Sequence, residues 1–123
     1  MGAITEHLVS VHGFTDINIL TGSKDNPLSH IRVSGCKRVF SKHGIPFNEN
    51  KVHFGDFWTG SGEHLAMRYI NGELPMPEAV ICTNDYMAYG LCDTLTAAGV
   101  KIPERVTVTG YDYNGDRIFH YPI

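Results

Sequence analysis

The sequence has no C-x-x-C pair, and its cysteines are an odd three, Cys36, Cys82 and Cys92. Zinc ribbons and dithiol redox sites are set aside on that ground. Cys82 falls in an apolar strand pattern and Cys92 in a helical one, so small buried hydrophobes are the better reading. Basic excess is lacking too. A formal net charge of -3 and a pI near 6.1 leave no footprint for nucleic acid or an anionic membrane. No apolar run reaches the roughly 18 residues of a spanning helix. "MGAITEHLVS" lacks the basic start and long apolar middle of a signal peptide, and Glu6 stands where a myristoylation site needs Ser or Thr. The chain as written reads as soluble and cytoplasmic, without a membrane partner.

Catalytic signatures are equally scarce. The seven histidines form no H-E-x-x-H, and the spacing of His7 and His12 separates them on a helix. "GSG" at Gly60 to Gly62 lacks the Lys-Ser/Thr of a phosphate loop and the frame of a nucleophile elbow. A helix-opening turn is its better use. No set of nucleophile, base and orienting group can be assembled, so no enzyme, metal site or cofactor is expected.

What is present is a regular alternation in 123 residues that are 42% hydrophobic and 19% charged, ordinary for one soluble domain. "ITEHLVSVHG" reads as a helix with Ile4, Leu8 and Val11 on one face, capped by Gly13. "DINILTG" is a short strand. "NPLSHIRVSGCKRVFSKHG" is a helix opened by Pro27, with Ile31, Gly35, Val39 and Phe40 on a common face and Gly44 at its end. "KVHFGDF" is a weaker strand, and "TGSGEHLAMRYINGE" a helix turning Leu65, Ala66, Tyr69 and Ile70 inward. "EAVICT" has the continuous apolar character of a strand covered on both faces. "DYMAYGLCDTLTAAG" follows as a helix with Met87, Ala88, Leu91, Leu95 and Ala98 inward and Gly99 closing it. "RVTVTGYD" is a last strand entering a polar loop.

Such repeats require a mostly parallel sheet with right-handed crossovers, an α/β/α sandwich of three layers. The apolar, aromatic ending "RIFHYPI" is unusual for a free terminus and points to a lobe of something larger.

In an open parallel sheet ligands gather beyond the carboxyl ends of the strands. Asp25, Asp56, Asp85 and Asp112 recur at that edge, with Arg32, Phe57, Trp58 and Asn84 nearby. Carboxylates and an arginine suit the paired hydroxyls of a polyol, and aromatic faces suit the apolar side of a sugar ring. Each residue has a plainer use. Asn84 or Asp85 caps the following helix, Asp112 turns a loop, Arg32 is a solvated surface residue, and Phe57 and Trp58 pack in a core or against a partner.

The segments "RVSG" (Arg32 to Gly35), "GDF" (Gly55 to Phe57), "CTNDYMAYG" (Cys82 to Gly90) and "AAGVKIPERVTVTGYD" (Ala97 to Asp112) run in an order that resembles the LacI/GalR family of regulators. The resemblance covers nearly the whole chain. It implies the second, C-terminal lobe of a periplasmic-binding-protein-like clamshell, doubly wound in the flavodoxin/Rossmann-like order 2-1-3-4. The first lobe and any DNA-binding headpiece would lie outside this sequence, as would the final strand after "HYPI".

Carried over by position, Arg32 matches the arginine that holds ligand hydroxyls and Phe57 an aromatic that stacks on ligand. Asn84 and Asp85 match a pair of which one member touches ligand, and Asp112 the aspartate after "GY" that bonds sugar hydroxyls. Leu28 stands where sugar-binding members often place a small polar residue, and Tyr113 where many have a second aspartate. A sugar is implied, with a nucleoside as alternative. The implied function is effector sensing by lobe closure in a homodimer, DNA being reached only through another domain. The competing readings are a dimerisation module offering Met67, Tyr69, Tyr86, Tyr89, Phe119 and Tyr121, and the sugar-binding lobe of a transport receptor or other signalling protein.

Overall fold

The computed structural model describes residues 1–112 and 115–121. Tyr113 and the final Pro122 and Ile123 lie outside the described residues. The elements run α1 (Gly2–Ser10), β1 (Ile17–Thr21), α2 (Pro27–Lys42), a 3-10 turn (Glu49–Lys51), β2 (Val52–Phe54), α3 (Thr59–Ile70), β3 (Ala79–Cys82), α4 (Asp85–Ala97), β4 (Thr107–Asp112) and β5 (Gly115–Ile118). They form one five-stranded sheet in the order β2-β1-β3-β4-β5. All pairings are parallel except β4 with β5, which is antiparallel. The expected order 2-1-3-4 is present, and β5 is an added edge strand that the sequence pattern did not reveal.

Alternation along the buried strands divides the core into two layers. Ile17, Ile19, Ala79 and Ile81 face α1 and α2, where they meet Leu8, Val33, Cys36 and Phe40. Leu20, Val80, Cys82 and Val108 face α3 and α4, where they meet Leu65, Met87, Leu91 and Leu95. All three cysteines are free and buried, as small hydrophobes would be.

Several inward assignments need correction. The buried stripe of α2 is Ser29, Val33, Cys36 and Phe40, and Ile31 is 65% exposed. Ile31 lies two residues beyond Ser29, about 200° around the helix, which puts it on the opposite face. Val11, Ile70 and Ala98 are solvent-facing because their helices lose their buried face at the last turn: α1 ends at Ser10, α4 at Ala97, and Ile70 is the final residue of α3. Tyr69 and Phe119, offered as surface contacts, are core residues.

One polar cluster packs on the α3 side. The Tyr69 hydroxyl donates to Asn18 Oδ1 at 2.8 Å, and His53 Nε2 approaches the same oxygen at 2.8 Å. Burial, and to a lesser degree the Arg68 charge, pull the His53 pKa from 6.5 down to about 4. An unfolded chain therefore binds a proton in that window that the folded chain refuses. Stability is complete above pH 6.5 and falls as pH drops toward 4. Allowing for solvent at this partly exposed ring, the loss is about 1–2 kcal/mol. Urea unfolding at pH 7.5 and 4.5 measures it. His53→Gln, which keeps an N–H for Asn18, is expected to reduce the pH dependence by about 1 kcal/mol.

Candidate ligand-binding cleft

The strands end in a row of short polar segments whose shapes are set locally. Thr83 Oγ1 donates to Thr21 Oγ1 and Thr21 Oγ1 to the Ser29 carbonyl, each at 3.1 Å. These buried bonds lock the ends of β1 and β3 to the start of α2. Asn26 caps α2 by accepting the Leu28 N–H at 3.0 Å, ahead of Pro27 at the first helical position.

Phe57 has a φ of 71°, in the left-handed region that a bulky side chain rarely occupies. Such a conformation costs on the order of 1–3 kcal/mol and persists only when its surroundings hold it. Asn84 supplies part of the hold. Its Oδ1 accepts the Met87 N–H at 3.0 Å, capping α4, while its Nδ2 donates to the Phe57 carbonyl at 2.7 Å. Gly22 supplies the space, since a Cβ there would lie 2.0 Å from the Phe57 ring.

A cavity of about 710 Å³ opens over this edge. On one side Arg32, from the second turn of α2, donates from Nη1 to the Thr83 carbonyl at 2.7 Å. Its guanidinium carbon lies 5.6 Å from the Phe57 ring centre and 5.0 Å from that of Tyr111. Two aromatic faces and a carbonyl thereby hold a cation in place. Also lining the cavity are Asp85, the first residue of α4, and Asp112, the last of β4. Asp85 Oδ2 pairs with Arg117 of β5 at 3.0 Å, and its Oδ1 is buried. Burial raises the Asp85 pKa, Arg117 opposes the rise, and the neighbouring Asp112 carboxyl adds to it.

Arg32, Phe57, Asn84, Asp85 and Asp112 all line this one cavity. Asp25 and Asp56 do not. Asp56 Oδ1 instead accepts the Trp58 N–H at 2.9 Å and the Ser61 hydroxyl at 2.5 Å, closing the turn before α3. Trp58 is 63% exposed and leans on Tyr86 with ring centres 5.4 Å apart. Sequence reasoning missed Tyr111, although it adjoins Asp112 at the end of an apolar strand. It also missed Arg117, whose signal was lost with β5. Leu28 lines the cavity as an apolar residue, in keeping with its departure from the sugar-binding pattern.

Among the described residues no group of three or more His, Cys, Asp or Glu is placed to hold a metal ion. No helix among them is long and apolar enough to cross a membrane.

Comparison with known proteins agrees with the fold. The profile of the family described as "Periplasmic binding protein-like domain" matches residues 5–121. The HTH-type transcriptional repressor PurR of Photobacterium profundum is 33% identical over 108 residues, 88% of this chain and 32% of the repressor. The HTH-type transcriptional regulator AscG of Escherichia coli is 38% identical over 101 residues, 81% of this chain and 30% of the regulator. Among solved structures, a sugar-binding transcriptional regulator of the LacI family from Escherichia coli, complexed with phosphate, superposes with a TM-score of 0.81. Its identity is 32%, over 91% of this chain and 40% of that one. The chain spans about a third of the length of the curated relatives it matches.

Proposed function

Because the chain belongs to the periplasmic binding protein-like domain family, in the line of the LacI/GalR regulators, we propose that it is the effector-sensing lobe of such a transcriptional regulator. It takes a small polyhydroxylated ligand, a sugar in the first instance, in the cleft at the carboxyl edge of the sheet. One observation carries this reading. Arg32, fixed between the Phe57 and Tyr111 rings, lines the same cavity as the Asp85 and Asp112 carboxylates. Donor fork, acceptor pair and ring faces are what a sugar's hydroxyls and its apolar face need.

The mechanism is non-enzymatic. A ligand touching this lobe and a second one favours the closed arrangement by the contacts it makes only there. Closure then passes to an output through the dimer, DNA being contacted by a different domain of such a regulator. The exposed pair of Trp58 and Tyr86 supports an additional reading of the same lobe as half of a homodimer.

The test is a heteronuclear NMR titration of the chain with pentoses, hexoses and nucleosides at millimolar concentration, where half a clamshell still registers weak binding. Saturable shifts confined to Arg32, Phe57, Asp85, Tyr111 and Asp112 for one compound class, lost in Asp112→Ala, are expected. Shifts from nucleosides alone would replace the sugar. Silence from every compound would leave the lobe as an interaction module.

A further inference from the structure

A second cavity, of about 290 Å³, lies between β2 and α3 and shares no lining residue with the cleft. Its walls carry Lys24, His53, His64 and Arg68, and no carboxylate lines it. Two acids beside it are already engaged. Glu73 takes the Arg68 Nε from outside, and Asp56 takes the Ser61 hydroxyl. Among the described residues the terminal Nη groups of Arg68 make no hydrogen bond. Lys24 Nζ sits 5.4 Å over the ring of Phe54, a 36% exposed aromatic on the same wall. Arg68 is near enough to His53 for its charge to help hold that imidazole neutral. Lys24 and Arg68 are the two fixed charges on this hollow, Arg68 being shared with Glu73 on its outer side, and an anion between them would be drawn to both. The apolar floor of Leu20, Val52 and Leu65 would strengthen the charge attraction by excluding water.

We propose that this hollow is a second, anion-binding subsite, taking the phosphoryl group of a small phosphate monoester. The free edge of the Arg68 fork meets two phosphoryl oxygens, Lys24 supplies a point charge, and His64 completes the donor set. The volume admits a phosphoryl group with a few carbons, which Phe54 and Leu65 would cover. Ser61 borders the hollow and closes the turn that leads into Phe57, so an occupant here would bear on the wall of the cleft.

The experiment is a titration of the chain with inorganic phosphate and with glycerol 3-phosphate, each against sodium chloride at matched ionic strength. The His53 and His64 ring resonances are followed. Saturable shifts from both phosphates and none from chloride are expected, with glycerol 3-phosphate the tighter. Affinity should fall roughly tenfold in Arg68→Gln and further in the Lys24→Gln double variant, and recover partly in Arg68→Lys. Asp112→Ala, in the cleft, should leave the phosphate curve unchanged, so this proposal and the polyol reading fail separately. Shifts that grow linearly without saturation, or that persist in the double variant, would overturn the subsite. Equal response to chloride would do the same.

Discussion

Alanine at Gly90 is expected to cost about 3 kcal/mol or more of folding stability, although alanine is the better helix former by about 1 kcal/mol. The reason is the crossing of α3 and α4. A Cβ at Gly90 would stand 2.0 Å from the Thr59 carbonyl oxygen, and one at Gly62 would stand 2.0 Å from that of Met87. Both obstacles are backbone, so neither can rotate away, and the helices must separate. That would open the layer holding Leu65, Leu91 and Leu95. Gly60 gives the control. It lies in α3, as Gly62 does, with nothing within 4 Å of a built Cβ, and Gly60→Ala is expected to stabilise by about 0.5–1 kcal/mol. Urea denaturation of Gly90→Ala, Gly62→Ala and Gly60→Ala settles the comparison. Destabilisation by Gly60→Ala, or tolerance of Gly90→Ala, would contradict the helix crossing described here.

The largest effect on binding is expected at Arg32. Replacing it with alanine removes a charged donor placed by two rings and a carbonyl, a contact worth about 1.5–3 kcal/mol to a hydroxylated ligand. Affinity should therefore fall roughly 10- to 100-fold, with little loss of fold because the side chain lies at the cleft wall. Arg32→Lys should recover only part of this. An ammonium cannot bond the Thr83 carbonyl and bridge two ligand oxygens with the planar fork of a guanidinium. Titration of a two-lobed regulator containing this sequence, with the sugar that answers the NMR panel, measures the change. An unchanged dissociation constant in Arg32→Ala would remove the arginine from the site and with it the main support for a polyol.

The alternation of elements was legible because strands buried on both faces are continuous apolar runs, as in "EAVICT", and the helices between them keep a regular stripe. Chain order and crossover handedness then constrain the sheet. Two kinds of information were not legible. Where a helix loses its buried face is decided by tertiary contacts, so Val11, Ile70 and Ala98 fitted the period yet meet solvent. β5 is short and polar, "GDRI", and its pairing with β4 comes from a neighbour in space. Arg117, the partner of Asp85, was hidden with it. The cleft residues that chain position could reveal were those at strand ends. Tyr111 was within reach on that rule, whereas the cationic hollow beside β2 draws on separated segments and had no linear signature.

The sheet between the two hydrophobic layers also acts as a thermodynamic insulator. Val33 and Phe40 pack on one side, Leu65 and Leu91 on the other, with the strands between. Truncations on opposite sides should add nearly independently, while pairs within a layer should not. Arg32 is anchored in the first layer and Asp85 opens a helix of the second. A molecule gripped by both would act as a staple across the insulator, making the two sides exchange amide hydrogens as one cooperative unit where each alone opens on its own.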